Sequence, residues 1–269
     1  MKISTVILTK NEEKNIERCI KSLIFCDEII IIDDYSNDKT IDKIQKLEVK
    51  SQNLKSKVKI FKRKLGGNFA GQRNFGMEKA SNDWVLYVDA DEEVTKQLIE
   101  EISRLASLAR NDTSPNAYYI RRRDYFWGKE LRFGEVRRMK LMGLIRLMRK
   151  GSGRWEGKVH EELRIKNEEL RIGKFENCIN HYPHQTLKEF IEDINHYSSL
   201  RAEELYNQGK KVNVFEIVVW PLGKFVYNYF INLGFLDGPQ GFVYAFMMSF
   251  HSFLVRAKLY TKCQHFYFT

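Results

Sequence analysis

The chain has 269 residues, of which 43% are hydrophobic and 30% charged, and it carries a formal net charge of +10. These values are ordinary for a globular protein with a full core. Its four cysteines form no C-x-x-C pair, which argues against a zinc ribbon or a disulfide framework and favours a reduced, cytosolic setting. The N-terminus lacks the long apolar core and cleavage site of a signal peptide, so we expect a cytoplasmic protein.

Apolar runs alternate with helical patterns over the first third of the chain. We predict strands at STVILT, EIIIIDD, VKIF and WVLYV, and helices at NEEKNIERCIKSLI, DKTIDKIQKL and GQRNFGMEKA. Strands that are apolar almost throughout and alternate with helices are typical of a parallel sheet covered on both faces. The predicted fold class is therefore α/β.

Beyond this region the pattern changes twice. Residues 111–180 are loop-rich and basic, with one predicted strand in AYYIRRRDYFWG. Thr186 and Glu189 then have the spacing of a capping box, which predicts that a helix begins there. We accordingly divide the chain into an α/β domain at 1–185 and a helical, aromatic-rich appendage at 186–269.

The appendage is unusually aromatic, since 16 of the 35 aromatic residues lie between Val212 and Thr269. A bilayer-spanning helix needs about 20 apolar residues. Glu216 and Lys224 interrupt the first apolar segment, and the second, GFVYAFMMSFHSFLV, has only 15 residues. Two interpretations stay open, helices packed in the core and helices lying in the membrane interface, and we favour the second.

Positive charge is concentrated in one part of the sequence. Arg121 to Lys158 holds 13 Lys and Arg against four Asp and Glu, an excess of nine out of the total of +10. Such a run indicates an anionic partner, either the phosphates of a small molecule, an acidic lipid surface or nucleic acid. A solvated face without a partner is the alternative.

Polar residues follow the predicted strands, at the sheet edge where open α/β folds bind ligands. No dinucleotide fingerprint and no P-loop is present. Asp89 and Asp91 lie two residues apart after a buried strand, so on extended backbone they point the same way and can share one hard cation such as Mg²⁺. We expect that cation to supply the positive charge that these crowded carboxylates need. Glu92 and Glu93 are predicted to begin the next helix, where the helix dipole favours carboxylates.

Four segments in this order, ILTKNEEKNI, IIIDDYSNDKT, GGNFAGQRNFGMEKASNDWVLYVDADEEV and VHEEL, resemble the family 2 glycosyltransferases. The similarity is greatest to the small, non-processive branch of bacterial lipopolysaccharide core glycosyltransferases. The resemblance implies the GT-A fold for 1–185, with a mostly parallel sheet and helices on both faces. It also implies a nucleotide-sugar donor, a UDP-sugar, and Mg²⁺ or Mn²⁺ as cofactor.

The resemblance also assigns roles to individual residues. Asp34 would accept a hydrogen bond from the base, Arg73 would face the diphosphate, and Asp89 would contact the ribose or the metal. Asp91 would hold the metal against the diphosphate. The remaining residues assigned to the nucleotide pocket are Thr9, Asn11 and Glu12. Many relatives have a base-stacking aromatic residue where this chain has Asn11, which leaves the identity of the base open.

Glycosyl transfer needs a general base that takes the proton of the acceptor hydroxyl. In the resemblance Glu161 is the best match for this carboxylate, and Glu162 is the second. Surface carboxylates that balance nearby arginines are the alternative. His181 resembles a histidine that completes the metal or diphosphate site, with His184 as the runner-up, although a lone histidine is as often structural.

The combined prediction is an inverting, metal-dependent hexosyltransferase that moves a single sugar to a lipid-linked or lipopolysaccharide-core saccharide at the inner face of the cytoplasmic membrane. Processive relatives carry Q-x-x-R-W, whereas here Gly151 stands at the glutamine position before Arg154 and Trp155. A nucleotidyltransferase and a basic nucleic-acid-binding protein remain as alternatives. The second leaves the acidic strand ends unexplained, so no nucleic-acid partner is expected.

Overall fold

The computed structural model describes residues 1–51, 54, 56–108, 115–157, 162–165 and 171–264. The chain forms two compact units, one made of Met1–Arg122 and Leu141–Tyr182, the other of Arg123–Lys140 and Pro183–Thr269. Segment 123–140, placed by sequence in the first domain, thus groups with the C-terminal helices. The main division, at Tyr182 and Pro183, lies three residues before the predicted boundary.

The strands of the described chain begin and end as follows: β1 Ile3–Thr9, β2 Glu28–Asp33, β3 Val58–Lys62, β4 Trp84–Asp89, β5 Glu92–Val94, β6 Ala117–Phe126, β7 Lys129–Leu131, β8 Leu144–Arg149, β9 Gly153–Glu156, β10 Glu162–Ile165 and β11 Ile172–His181. The helices are α1 Ile16–Ser22, α2 Thr40–Lys50, α3 Phe69–Lys79, α4 Lys96–Leu108, α5 Arg137–Met142, α6 Leu187–Asn207, α7 Val214–Val226 and α8 Pro239–Gln264. The predicted strands and helices of the first third are all present.

One large sheet has the strand order β3-β2-β1-β4-β8-β6-β11-β5. The first four strands pair in parallel, as predicted. Strand β8 then pairs antiparallel with β4, and β11 pairs antiparallel with β5. These antiparallel strands come from the loop-rich middle of the sequence, where periodicity indicated only β6.

Helices cover both faces of the parallel strands because consecutive side chains of a strand point to opposite faces. On one face Ile29, Ile31 and their neighbours pack against α1, α2 and α4. On the other face Ile30 and Ile32 share a cluster with α3. Gly76 allows α3 to approach the sheet, since a Cβ atom there would lie 2.3 Å from Cγ1 of Val6. The predicted helices on both faces are thus confirmed.

Glu92 and Glu93 do not begin a helix, contrary to the prediction. Both lie in β5, where Glu92 pairs with His181 of β11 and is buried. The following helix, α4, begins at Lys96, after Thr95 accepts a hydrogen bond from the backbone N–H of Leu98. Helix α4 therefore begins after a threonine N-cap, one of the residue types that are favoured at that position.

In the second unit, Phe126, Phe190 and Met247 belong to one apolar core. The capping box at Thr186 and Glu189 is confirmed, with both reciprocal hydrogen bonds present at the start of α6. Among the described residues, one helical stretch, Val214–Ile231, is long and apolar enough to cross a membrane. We had expected Glu216 and Lys224 to interrupt this apolar segment, but by length and composition it still qualifies as a stretch that could cross a membrane.

The buried carboxylate of Glu28 gives the first unit a testable response to acid. Burial by itself would raise its pKa, but hydrogen bonds from Lys59 and Ser4, 2.6 and 2.5 Å long, outweigh burial and lower the pKa to about 2. Because the folded pKa is below the unfolded one, this carboxylate stabilises the fold above about pH 4.5, and the stabilisation is lost as the pH falls toward 2. We expect Glu28→Gln to cost about 2 kcal/mol at pH 7.

The measurement is urea unfolding of both proteins between pH 7 and pH 3, where the difference in unfolding free energy should shrink. Glu17→Gln is the matched control, because its exposed pair with Lys21 on α1 is worth only about 0.5 kcal/mol. A Glu28 difference that stays constant down to pH 3 would contradict the expected role.

Candidate active site

The carboxyl ends of three neighbouring strands meet at one edge of the sheet. β1 lies between β2 and β4, and the register pairs Thr9 with Asp33 and Leu8 with Asp89. The residues that follow these strands are therefore brought together, as expected for a ligand site in an open α/β sheet.

Thr9 and Asp34 lie on the β1–β2 side of this edge. The Thr9 hydroxyl is buried and has no hydrogen-bond partner among the described residues, so it is available to a ligand. Asp34 accepts hydrogen bonds from Lys10 Nζ and from the backbone N–H of Leu65, both at 2.9 Å. A carboxylate held by two donors is well placed to receive a further donor from a bound base.

Asn11 and Glu12 have local structural roles that the sequence did not reveal. Asn11 has a left-handed backbone (φ 55°), donates its N–H to Ser36 and accepts from the backbone N–H of Asn37. Glu12 accepts from the Asn15 side chain at 2.9 Å. The contacts of Asn11 tie the loop after β1 to the loop after β2, whereas that of Glu12 lies within the first loop. The predicted nucleotide contacts of both residues remain predictions.

Two buried arginines hold Asp89 at the end of β4. Arg73 of α3 donates to Oδ1 at 2.9 Å, and Arg146 of β8 donates from both terminal nitrogens to Oδ2 at 3.2 Å. Arg146 also donates to Glu92 at 2.8 Å. Glu92 in turn accepts from the backbone N–H of Asp89 at 2.8 Å.

This network shifts the pKa values of Asp89 and Glu92 in opposite directions. Burial would raise the pKa of Asp89, but the charges of Arg73 and Arg146 outweigh burial and hold it well below its usual range. Burial raises the pKa of Glu92, and Asp89 adds to this effect while Arg146 opposes it. Asp89 is therefore the charged partner of both guanidinium groups.

Arg146 is the residue of this network that we did not predict. It is 4% exposed, although it lies in the apolar run LIRLMR. A single arginine at an inward position of an apolar strand is the signal that could have identified it, because a buried charge needs a partner. Protein charges therefore compensate Asp89, where we had expected a cation to do so.

Asp91 and His181 form the second pair of the site. The antiparallel pairing of β5 with β11 brings His181 Nε2 to 3.1 Å from Asp91 Oδ2, and the backbone N–H of Tyr182 donates to the Asp91 carbonyl. Burial would raise the pKa of Asp91, but His181 outweighs burial and lowers it. The structure thus joins two residues that lie 90 positions apart and that were both assigned to the metal.

The donor set around Asp91 fits a divalent ion. A carboxylate oxygen and an imidazole nitrogen are both ligands of Mn²⁺, and Mg²⁺ takes one or two carboxylates with substrate phosphates. The described residues contain no cluster of three or more His, Cys, Asp or Glu side chains able to hold a metal. Guanidinium groups hold both oxygens of Asp89, and the predicted metal roles of Asp89, Asp91 and His181 stay predictions.

The predicted general base is only partly visible. Glu161 lies outside the described residues. Glu162 is exposed on β10, which pairs antiparallel with β9 and places it opposite Glu156. His184, the alternative histidine, belongs to the second unit, where its Nδ1 lies 3.0 Å from Asp193 and its ring stacks on Phe190.

The basic run between Arg121 and Lys158 does not form one surface. Arg146 is buried with Asp89, and Lys150 donates to the carbonyl of Ala80. In the other unit Lys140 pairs with Glu130. Part of the charge excess therefore has partners inside the protein.

Sequence comparison matches residues 4–177 to the family described as Glycosyl transferase family 2. An uncharacterized glycosyltransferase of Rickettsia typhi, RT0209, is 32% identical over 268 residues, which cover 96% of this chain and 86% of the relative. The lipopolysaccharide core biosynthesis glycosyltransferase LpsC of Rhizobium meliloti is 30% identical over 263 residues, which cover 97% of this chain and 92% of the relative.

Comparison of structures gives the same fold. The mannosyltransferase PcManGT of Pyrobaculum calidifontis, in complex with GDP-Man and Mn²⁺, superposes with a TM-score of 0.57 at 13% identity, over 96% of this chain and 86% of that one. S. aureus TarS 1-349 in complex with UDP superposes with a TM-score of 0.50 at 14% identity, over 98% and 92% of the two chains. Identities this low show the fold alone, which is GT-A. With the family match over residues 4–177, this chain belongs to glycosyltransferase family 2.

Proposed function

We propose that this protein transfers a single sugar from a UDP-sugar to a lipid-linked or lipopolysaccharide-core saccharide, with inversion, at the inner face of the cytoplasmic membrane. The pairing of Asp91 with His181 beside the arginine-held Asp89 is the observation that carries the proposal. The acceptor class is supported by the name of LpsC, which aligns over 97% of this chain.

The donor nucleotide would occupy the edge formed by the ends of β1, β2 and β4. The buried Thr9 hydroxyl can exchange hydrogen bonds with the nucleoside, and Asp34 can accept the N–H of a uracil ring. Arg73 comes from the neighbouring helix α3 and presents a planar guanidinium, which suits phosphate oxygens. Asp89 keeps this guanidinium in place, because the pair is buried and 2.9 Å apart.

Asp91 and His181 would hold Mg²⁺ or Mn²⁺, which when bound offsets the charge that develops on the departing diphosphate. The acceptor hydroxyl attacks the anomeric carbon from the face opposite the diphosphate, so the carbon–oxygen bond to the diphosphate breaks as the new bond forms. Glu161 would accept the hydroxyl proton during this step. A single displacement of this kind inverts the anomeric configuration.

Transfer of one sugar is supported by the altered segment before Trp155. Gly151 takes the glutamine position of the Q-x-x-R-W pattern. The tryptophan of the pattern, Trp155, is a buried packing residue, whose ring lies 5.1 Å from that of Tyr87 and 5.0 Å from the Arg73 guanidinium. The Asn74 side chain donates a hydrogen bond to the Trp155 carbonyl and accepts one from the Trp155 backbone N–H. The tryptophan therefore supports α3 and the arginine it carries.

The test is a donor screen that measures release of free nucleoside diphosphate from a panel of UDP- and GDP-sugars, with Mg²⁺, Mn²⁺ or EDTA present. The acceptor supplied in the assay is lipopolysaccharide core or an extract of lipid-linked saccharides. We expect UDP release that requires both acceptor and metal. Release of pyrophosphate would instead identify a nucleotidyltransferase, and turnover that is unchanged in EDTA would contradict the metal site.

A further inference from the structure

Helix α7 presents an apolar surface to solvent. Exposed apolar side chains recur along it and its continuation every three or four residues, which places them on one face of the helix. On that face they are Phe215, Val219, Leu222, Val226 and Phe230, with exposed fractions from 42 to 73%. The same stretch has further exposed apolar side chains beside this face: Val214, Val218, Trp220, Tyr227 and Ile231. Single exposed apolar residues are normal on soluble proteins, whereas a continuous stripe marks an interaction surface.

The stripe extends onto helix α8 of the same unit. Phe242 and Phe246 of α8 are exposed and stack on each other. The ring of Phe242 lies 5.8 Å from that of Phe225 and 5.6 Å from that of Tyr229. Together the stripe on α7 and these two phenylalanines form what we name the apolar face.

Basic residues lie next to this surface. The Asp237 carboxylate accepts the backbone N–H groups of Arg132 and Phe133 at 2.9 Å, and its carbonyl accepts from Lys129 at 2.7 Å. Asp237 directly follows the exposed side chains of Phe235 and Leu236. This anchored segment, which continues into helix α5, carries exposed positive side chains that we name the basic rim: Lys129, Arg132, Arg137 and Arg138.

The polar contacts of the same stretch indicate how it meets a bilayer. Val214–Ile231 could span a membrane by length and composition, and only 11% of its residues are buried in the protein. However, Lys224 pairs with Glu135 at 3.2 Å, and Asn228 donates to Glu135 at 2.5 Å. In a spanning helix this charged group would lie inside the hydrocarbon, where charges are costly. A helix that lies along the interface keeps it on the protein side.

We propose that the apolar face and the basic rim form a docking surface for an anionic lipid bilayer, with α7 lying along the headgroup boundary. The occupant is a lipid surface because apolar side chains and exposed arginines occur together, which is the pattern of interfacial helices. Each basic residue near an anionic surface adds about fivefold to binding. The inference does not depend on the transfer reaction, since vesicle binding is measured without donor or acceptor.

The experiment is flotation of the full chain with vesicles of phosphatidylcholine, alone or with 30% phosphatidylglycerol, a composition chosen as roughly that of an anionic membrane. We expect the protein to float with the anionic vesicles and much less with the neutral ones. Leu222→Asp with Phe230→Asp should lower binding at least about tenfold. Arg137→Glu with Arg138→Glu should lower it about 25-fold or more on anionic vesicles, and little on neutral ones.

Val49→Asp is the control, because Val49 is 86% exposed on α2 of the other unit and should bind vesicles like the wild type. Circular dichroism and thermal unfolding check that each variant is folded. Vesicle binding unaffected by the Asp variants would overturn the proposal. The proposal would also be overturned if the wild-type protein does not bind vesicles and instead forms a dimer, and if Leu222→Asp dissociates that dimer. Resistance to alkaline carbonate extraction would show a spanning helix and overturn the flat orientation.

Discussion

Asp91→Asn is expected to lower kcat of sugar transfer by about a thousandfold while the protein remains folded. The amide keeps the shape of the carboxylate but not its charge, so it no longer attracts a divalent ion. His181 would then be left as the neighbouring ligand, 3.1 Å from the substituted group. The measurement is UDP release as a function of Mn²⁺ concentration, in which the variant should need far more metal for the activity it retains.

Asp83→Asn is the matched control for this prediction. Asp83 precedes the same strand, β4, at the opposite end, and it is exposed. Its replacement should leave both kcat and the metal requirement unchanged. If Asp91→Asn keeps wild-type turnover at wild-type Mn²⁺ concentrations, Asp91 is not a metal ligand, and the donor diphosphate must be neutralised by the arginines alone.

Arg146→Met is expected to give the largest loss of stability, about 3 to 5 kcal/mol in the free energy of unfolding. Methionine fills a similar volume but carries no charge. Asp89 would keep one guanidinium partner, Arg73, and Glu92 would lose its ion pair with Arg146. Burial already raises the pKa of Glu92, and loss of Arg146 would raise it further. A carboxyl whose pKa is higher in the folded than in the unfolded state destabilises the fold when it ionises. The loss of unfolding free energy should therefore grow as the pH rises from 5 to 8.

The same unfolding experiment includes two further variants. Arg146→Met combined with Glu92→Gln should recover part of the lost stability, because the second change removes the uncompensated buried carboxylate. Arg149→Met, at an exposed position of the same strand, should change the free energy of unfolding by less than about 0.5 kcal/mol. A double variant that is no more stable than Arg146→Met alone would show that packing, and not charge, explains the loss.

Much of the fold could be predicted from local patterns. The apolar run of β2 and the helical spacing of α1 are each visible within a few residues. A strand that is buried on both faces is apolar throughout, and a helix repeats every 3.6 residues. The capping box at Thr186 was readable for the same reason, since both of its hydrogen bonds join residues three apart. Glu92 and Glu93 were misread because a three-residue strand has no periodicity of its own.

The sequence by itself determined the parallel half of the sheet, the helices on both of its faces and the acidic residues at the strand ends. Only the tertiary structure decided how those acids are compensated, by bringing Arg146 to Asp89 and His181 to Asp91. The physical reason is the range of the two effects. Strand and helix patterns arise between neighbours along the chain, whereas charge compensation acts through space. It joins Asp89 to Arg146 of the adjacent strand β8, and Asp91 to His181 of β11, and each pair meets only in the folded sheet.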